Sequence, residues 1–164
     1  MLGFFYYNKR KKLYKKLLLT LIFSVSLFAS MQVGQEFENF KIKNQFDKEF
    51  SVIADTKKVI FVFSKANGHI VKDYLATKEA DFLDKKDVLF VADVSAMPSF
   101  IAWFVLPGLK DNKYSIIVLK DDEISKNYKN ETNQDKITVV YLDNKKITDI
   151  KYFSSKEELE NDLK

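Results

Sequence analysis

The sequence predicts an α/β domain: a central mixed sheet flanked by helices, with a β-hairpin at its amino-terminal end. Two observations carry most of this. Val59-Ile60-Phe61-Val62-Phe63-Ser64 and Val88-Leu89-Phe90-Val91-Ala92 are unbroken apolar runs of strand length, the pattern of strands covered on both faces. Each run leads into a segment of helical character rather than a tight turn, which calls for parallel strands joined by right-handed crossovers. A third observation closes the order: two more strand-type runs around a polar turn, then a capped helix. The 164 residues, 46% of them hydrophobic and 15% aromatic, suffice for one core without cross-links.

The elements follow in turn. Residues 37–42 and 50–53 flank Lys43-Asn44-Gln45-Phe46-Asp47-Lys48, a polar turn, and so form the opening hairpin. After the first buried strand, Asn67 is the expected helix N-cap. Ile70, Val71, Tyr74, Leu75, Phe82 and Leu83 then recur at helical spacing opposite Lys72, Asp73, Lys78 and Glu79. The second buried strand ends at Asp93-Val94-Ser95, and Ala96-Met97-Pro98 opens another helix, since proline in a first turn gives up an amide that has no partner there. That helix covers residues 99–106 and stops at Pro107-Gly108. Residues 114–119 give a third strand, and the charged, Asn-containing stretch 120–136 reads as loop with at most a turn of helix. Residues 139–142 and 147–153 pair around Asp143-Asn144-Lys145-Lys146. Ser154 then caps a terminal helix through Leu163, with Glu157 completing a capping box.

The first 29 residues stand apart from the fold. Lys9, Arg10, Lys11, Lys12, Lys15 and Lys16 precede a twelve-residue apolar run, 17–28, that ends at Ala29 and Ser30. A bilayer span needs about 20 residues, so residues 1–29 read as a signal peptide cleaved after Ala29. The alternative is a retained amino-terminal anchor, because Phe4, Phe5, Tyr6 and Tyr7 are unusual in a simple basic leader. Either reading places residues 33–164 in the periplasm, and without a cysteine there is no lipoprotein site. The leader holds six of the 27 Lys and Arg and none of the 23 Asp and Glu, which leaves 21 against 23, a net of −2. The apparent basicity therefore belongs to the leader, and nucleic acid is excluded as a partner on these grounds.

The order of elements resembles that of the redoxins, the thioredoxin-like proteins in which a strand delivers reactive cysteines to the start of a helix. Val33-Gly34-Gln35-Glu36-Phe37 through Ile42 resembles the opening of alkyl hydroperoxide reductase and thioredoxin-like proteins, and Asp143 with Lys146-Ile147 resembles their final Asp-x-x-Gly-x-Ile hairpin, with Lys145 or Lys146 in place of Gly. The resemblance implies a cysteine pair near residues 67–71 and a proline just before Thr138. This chain has no cysteine, and Lys136 and Ile137 stand at the second place. A thiolate is the nucleophile of that chemistry, so no thiol-based activity is expected. The stretches Val91-Ala92-Asp93-Val94-Ser95-Ala96-Met97-Pro98-Ser99-Phe100-Ile101 and Leu106-Pro107-Gly108-Leu109-Lys110-Asp111 are similar to a set of small exported proteobacterial proteins, some labelled FAD/FMN-containing dehydrogenase. No Gly-x-Gly-x-x-Gly follows a strand here, so the residues offer no recognisable pyrophosphate cradle.

Ligands of α/β sheets sit beyond the carboxyl ends of parallel strands. Ser64, Lys65, Asn67 and His69 follow the first such strand, and Asp93, Ser95, Met97 and Pro98 follow the second; together they form the candidate groove. Asp93 and His69 would make a proton-transfer pair, or Asn67 and Gly68 with nearby amides an anion site. The plainer reading makes Asn67 and Ser95 helix caps and Asp93 a charge at a helix N-terminus. His69 is the only histidine, and no tight His, Asp and Glu cluster accompanies it, so no metal site is expected. Copper delivery, which the thioredoxin-like resemblance brings to mind, would need cysteines. The Ser, His and Asp present lack a Gly-x-Ser-x-Gly turn.

Phe100-Ile101-Ala102-Trp103-Phe104-Val105-Leu106 is apolar all round, which predicts a buried helix. The alternative is an exposed patch on which Trp103 and Phe104 meet a partner protein or a membrane surface. Two function classes stay open: a periplasmic, non-catalytic module that binds a protein or other ligand in the groove, with an envelope protein as partner and no cofactor, and a flavin-dependent oxidoreductase of the cell envelope.

Overall fold

The computed structural model describes residues 31–164, and the signal or anchor expected over residues 1–29 lies outside them. The elements are β1 (Ile42–Lys43), β2 (Glu49–Phe50), β3 (Lys58–Val62), α1 (Lys65–Leu75), α2 (Phe82–Lys85), β4 (Val88–Asp93), α3 (Ser99–Gly108), β5 (Ile117–Leu119), α4 (Asp122–Tyr128), β6 (Ile137–Asp143), β7 (Lys146–Phe153) and α5 (Lys156–Leu163). The main sheet has the order β5-β4-β3-β6-β7, and β1 and β2 form a separate hairpin. β3 runs parallel to β4, with Val62 opposite Ala92, and β4 runs parallel to β5. β3 with β6 and β6 with β7 are antiparallel. The sheet is therefore mixed, and the two apolar runs lie side by side inside it.

Alternation along the strands divides the core between two faces. Ile60, Val62, Phe90 and Val139 meet Val71, Tyr74 and Leu75 of α1 and Leu159 and Leu163 of α5. Val59, Phe61, Val91 and Val140 meet Phe37, Phe40, Val52 and Tyr128 on the opposite side. The Phe61 ring stacks on Tyr128 at 5.1 Å and on Phe63 at 5.8 Å. The Tyr128 hydroxyl donates to the Glu38 carbonyl at 2.7 Å, so the one polar atom of this aromatic cluster is satisfied. Burial is the main cause that pushes the phenol far above its ordinary pKa.

Hydrogen bonds between distant segments set the sheet edges. The hairpin backbone bridges β5 at Asn44 and Ile117, with the Gln45 amide donating to the Ile116 carbonyl at 3.0 Å. The buried Gln45 side chain extends the pairing by donating to the Tyr114 carbonyl and accepting from the Ile116 amide, both at 2.7 Å, which covers the β5 edge. Asn44 Oδ1 accepts from the amides of Phe46 and Lys48 and holds the hairpin turn in which Gln45 sits. At the other edge, Gly34 and Phe37 donate to carbonyls of Ile147 and Lys145. In the β6–β7 turn Asn144 and Lys145 have φ of 47° and 67°, the left-handed pair of a mirror-image hairpin turn. Lys145, not Lys146, thus occupies a position that glycine fills without strain.

Several boundaries differ from the sequence reading. Ser64, not Asn67, caps α1: its hydroxyl accepts from the Asn67 amide at 3.2 Å, and the helix begins at Lys65. Phe82 and Leu83 belong to the separate α2; α1 ends at Leu75, and just beyond it the Thr77 hydroxyl donates to the Tyr74 carbonyl at 2.7 Å. Residues 122–128 are a helix of two turns, capped by Asp121 through the Glu123 and Ile124 amides. The terminal capping box closes one residue later than expected, on Ser155 and Glu158, since the Glu158 carboxylate accepts from both the Ser154 and Ser155 amides.

The largest departure is α3. The helix expected to be buried runs through Pro107 to Gly108, and none of its residues is buried. Phe100, Trp103 and Phe104 are 71%, 74% and 72% exposed. The next strand in the chain, β5, has only three residues, about 10 Å, against about 15 Å for the ten-residue helix, so it is too short to cover α3. Concavities lie on both sides of it, so α3 stands as a ridge.

Candidate functional site

The parallel register of β3 and β4 brings their carboxyl ends together, Val62 beside Ala92, and from there the chain rises into α1 on one side and into the turn before α3 on the other. A cleft of about 390 Å³ lies between the two helices. Val62, Phe90 and Ala92 line it from the strands, Gly68, His69 and Lys72 from α1, and Met97, Ile101, Val105 and Leu109 from the other side. Gly68 and Ala92 supply the space by having little or no side chain. The surface is mostly apolar, with Lys65, His69 and Lys72 exposed along one lip. Tyr114 closes the far end; its hydroxyl donates to Asn112 Oδ1 at 3.1 Å, and burial, with the nearby Asp73 charge, pushes its pKa up to about 12.

Of the groove residues expected from sequence, Ser64, Lys65, His69, Asp93 and Met97 border this cleft, while Asn67, Ser95 and Pro98 do not. Pro98 is the exposed N-cap of α3. Asn67 is buried inside α1, and its Nδ2, like Ser95 Oγ, has no hydrogen-bond partner among the described residues. Neither Asn67 nor Ser95 is a helix cap.

Asp93 and His69 do not form a proton-transfer pair. Asp93 lies two residues beyond Val91 on β4 and so shares its face, the one away from α1. There Oδ2 accepts from the Ser125 hydroxyl at 2.6 Å and pairs with the Lys129 ammonium at 3.2 Å, and Oδ1 accepts from the Ser95 amide at 2.8 Å. Burial alone would raise the Asp93 carboxyl, but the hydrogen bonds from Ser125 and Ser95 and the charge of Lys129 outweigh it and hold the pKa below the usual carboxylate value. Asp93 is thus a fixed anion that ties α4 to the end of β4. Ser125 and Lys129 were missed in sequence because their segment read as loop; their i, i+4 spacing on one helix face was the available signal.

At the mouth of the cleft the Ser64 hydroxyl serves as the cap of α1, accepting from the Asn67 amide. Among the described residues no group of three or more His, Cys, Asp or Glu is placed to hold a metal ion. None of the described helices is long and apolar enough to cross a membrane.

No family model matches the chain, and no curated protein matches it. Solved structures do. One described as a thiol:disulfide interchange protein DsbE from Chlorobium tepidum superposes with a TM-score of 0.55 at 15% identity, over 82% of this chain and 96% of that one. A Bacteroides thetaiotaomicron structure described as a protein disulfide isomerase gives 0.53 at 14% identity, over 85% and 90%, and StoA from Bacillus subtilis gives 0.53 at 15%, over 76% and 95%. The fold is thioredoxin-like. At these identities the likeness extends to the fold alone. The chain itself contains no cysteine, so at the junction Phe63-Ser64-Lys65-Ala66-Asn67, where β3 passes into α1, this thioredoxin-like domain carries no thiol. The similarity to small exported proteobacterial proteins and the flavin alternative find no support in these comparisons.

Proposed function

We propose that the protein is a thioredoxin-like binding module of the periplasm that works without thiol–disulfide exchange, and that the cleft between α1 and α3 receives an apolar side chain from an extended segment of an envelope protein. The observation that carries this reading is an open, apolar cleft at the head of β3 and β4 in a chain with no cysteine. Concave apolar sites with a few polar groups at the rim are the usual form of a binding pocket, and Met97 provides an adaptable wall. The cationic lip of Lys65 and Lys72 favours acidic residues beside the apolar anchor. Periplasmic location rests on the basic stretch and short apolar run of residues 9–28 followed by Ala29 and Ser30, and a retained anchor would leave the domain in the same compartment.

Gly68 gives a direct test. A Cβ added there meets no heavy atom within 4 Å, so Gly68→Leu has open space at its base from which to enter the cleft along the α1 wall. It also removes a helix-interior glycine, a gain of roughly 0.5–1 kcal/mol. Anilinonaphthalene sulfonate, an apolar anion, is the probe. Its fluorescence in the presence of the protein should fall severalfold in Gly68→Leu while the thermal midpoint holds or rises. Undiminished fluorescence in that variant would overturn the reading.

A further inference from the structure

The exposed stripe of α3 has a chemistry of its own, independent of the cleft. Phe100, Trp103 and Phe104 recur at i, i+3 and i+4 and point away from the body of the protein, and no charged residue lies between Ser99 and Gly108. Lysines surround this ridge. Lys41, Lys43, Lys110 and Lys120 line the concavity on one flank and Lys65 and Lys72 the cleft on the other. All six are exposed, and none joins an ion pair among the described residues. The carboxylates near the same two rims are Asp47, Asp121, which caps α4, and Asp73, whose charge reaches Tyr114 at the end of the cleft; the Asp93 carboxylate faces the other way and is neutralised by Lys129. Positive charge is thus gathered around α3, although residues 31–164 hold 21 basic and 23 acidic side chains.

We propose that α3 docks on an anionic lipid surface, with Phe100, Trp103 and Phe104 entering the boundary between headgroups and acyl chains and the surrounding lysines meeting lipid phosphates. At about 15 Å the helix is half the thickness of a bilayer core, so it lies in the plane of the interface rather than across it. Aromatic side chains are at home at that depth, and lysines reach back from it to the headgroups. Charge decides against a second copy of the chain, because self-pairing through α3 would set six lysines against six. Protein interfaces are oriented by hydrogen-bonding groups around an apolar centre; here the rim consists of flexible point charges, which match mobile phosphates.

Trp103 is the only tryptophan, so its emission reports on α3 alone even in the full chain. Vesicles of phosphatidylglycerol and phosphatidylcholine in equal parts should move the emission to shorter wavelength, brominated acyl chains should quench it, and affinity for pure phosphatidylcholine vesicles should be at least about tenfold weaker. Phe104→Glu should abolish the shift with the far-UV circular dichroism unchanged, because α3 buries no side chain. Protein that sediments with anionic vesicles while Trp103 keeps its aqueous emission would overturn the proposal, since another segment would then hold the membrane. A short-wavelength emission that appears without vesicles and grows with protein concentration would overturn it in favour of self-association.

Discussion

Val59-Ile60-Phe61-Val62-Phe63, which forms β3 and its exit, and Phe100-Ile101-Ala102-Trp103-Phe104-Val105-Leu106 in α3 are both unbroken apolar runs, yet Val59, Ile60 and Phe61 are fully buried while the three large aromatics of α3 stand in solvent. The difference lies in their neighbours. β3 is paired on both edges, by β4 and β6, and covered on both faces by helices and the amino-terminal segment. α3 has a concavity on each side and none of its residues is buried. Apolar composition sets how much is gained by burial; only the surrounding elements determine whether burial is on offer. The apolar surface left open on α3 is the one on which the proposed docking rests.

The sharpest way to break this contrast is to truncate one aromatic from each region. Phe61→Ala removes a ring stacked on Tyr128 and Phe63 and should cost about 3–5 kcal/mol in urea titrations. Trp103→Ala should stay within about 0.5 kcal/mol of the parent. Comparable losses would mean that α3 is packed in the core.

Asp93 sits where the buried strand hands over to the exposed ridge, and it sharpens the contrast by showing that the handover is held electrostatically. Asp93→Asn should cost about 2 kcal/mol at neutral pH, since Lys129 loses its partner. Because folding lowers the Asp93 pKa, its contribution is complete above the unfolded carboxylate value of about 3.9 and is lost as pH falls through the folded value below that. Urea midpoints should therefore converge for parent and variant in strong acid, and a constant gap at every pH would remove this role.

The smallest effect is expected at the opposite edge of the sheet from α3. Lys145→Gly, at φ 67°, should raise stability by about 0.5–1 kcal/mol in thermal unfolding. Lys146→Gly, inside β7, should lower it instead.

Much of the fold was legible because its signals are local. Runs of β-branched and aromatic residues marked β3 and β4, and Pro98, the Ser-Ser-Lys-Glu-Glu stretch at 154–158 and the turn at 143–146 marked ends and reversals to within a residue. Part of the candidate site was legible for the same reason, since the tips of adjacent parallel strands must be neighbours: Ser64, Lys65, His69, Asp93 and Met97 do border one cleft. The pairing of Asp93 with His69 failed because proximity along two strand ends does not reveal which face a side chain takes. Gln45 escaped notice because its partners, Tyr114 and Ile116, lie about seventy residues away.

By itself, then, the sequence determined the α/β order, the parallel neighbours β3 and β4 and the lack of any thiol, because each depends on residue identity and short-range periodicity. The tertiary structure alone decided that Asp93 faces Ser125 and Lys129, that Gln45 seals an edge, and that α3 is left uncovered. Those outcomes depend on which surfaces meet across long stretches of chain, and an apolar run carries no record of whether a partner surface will be there to cover it.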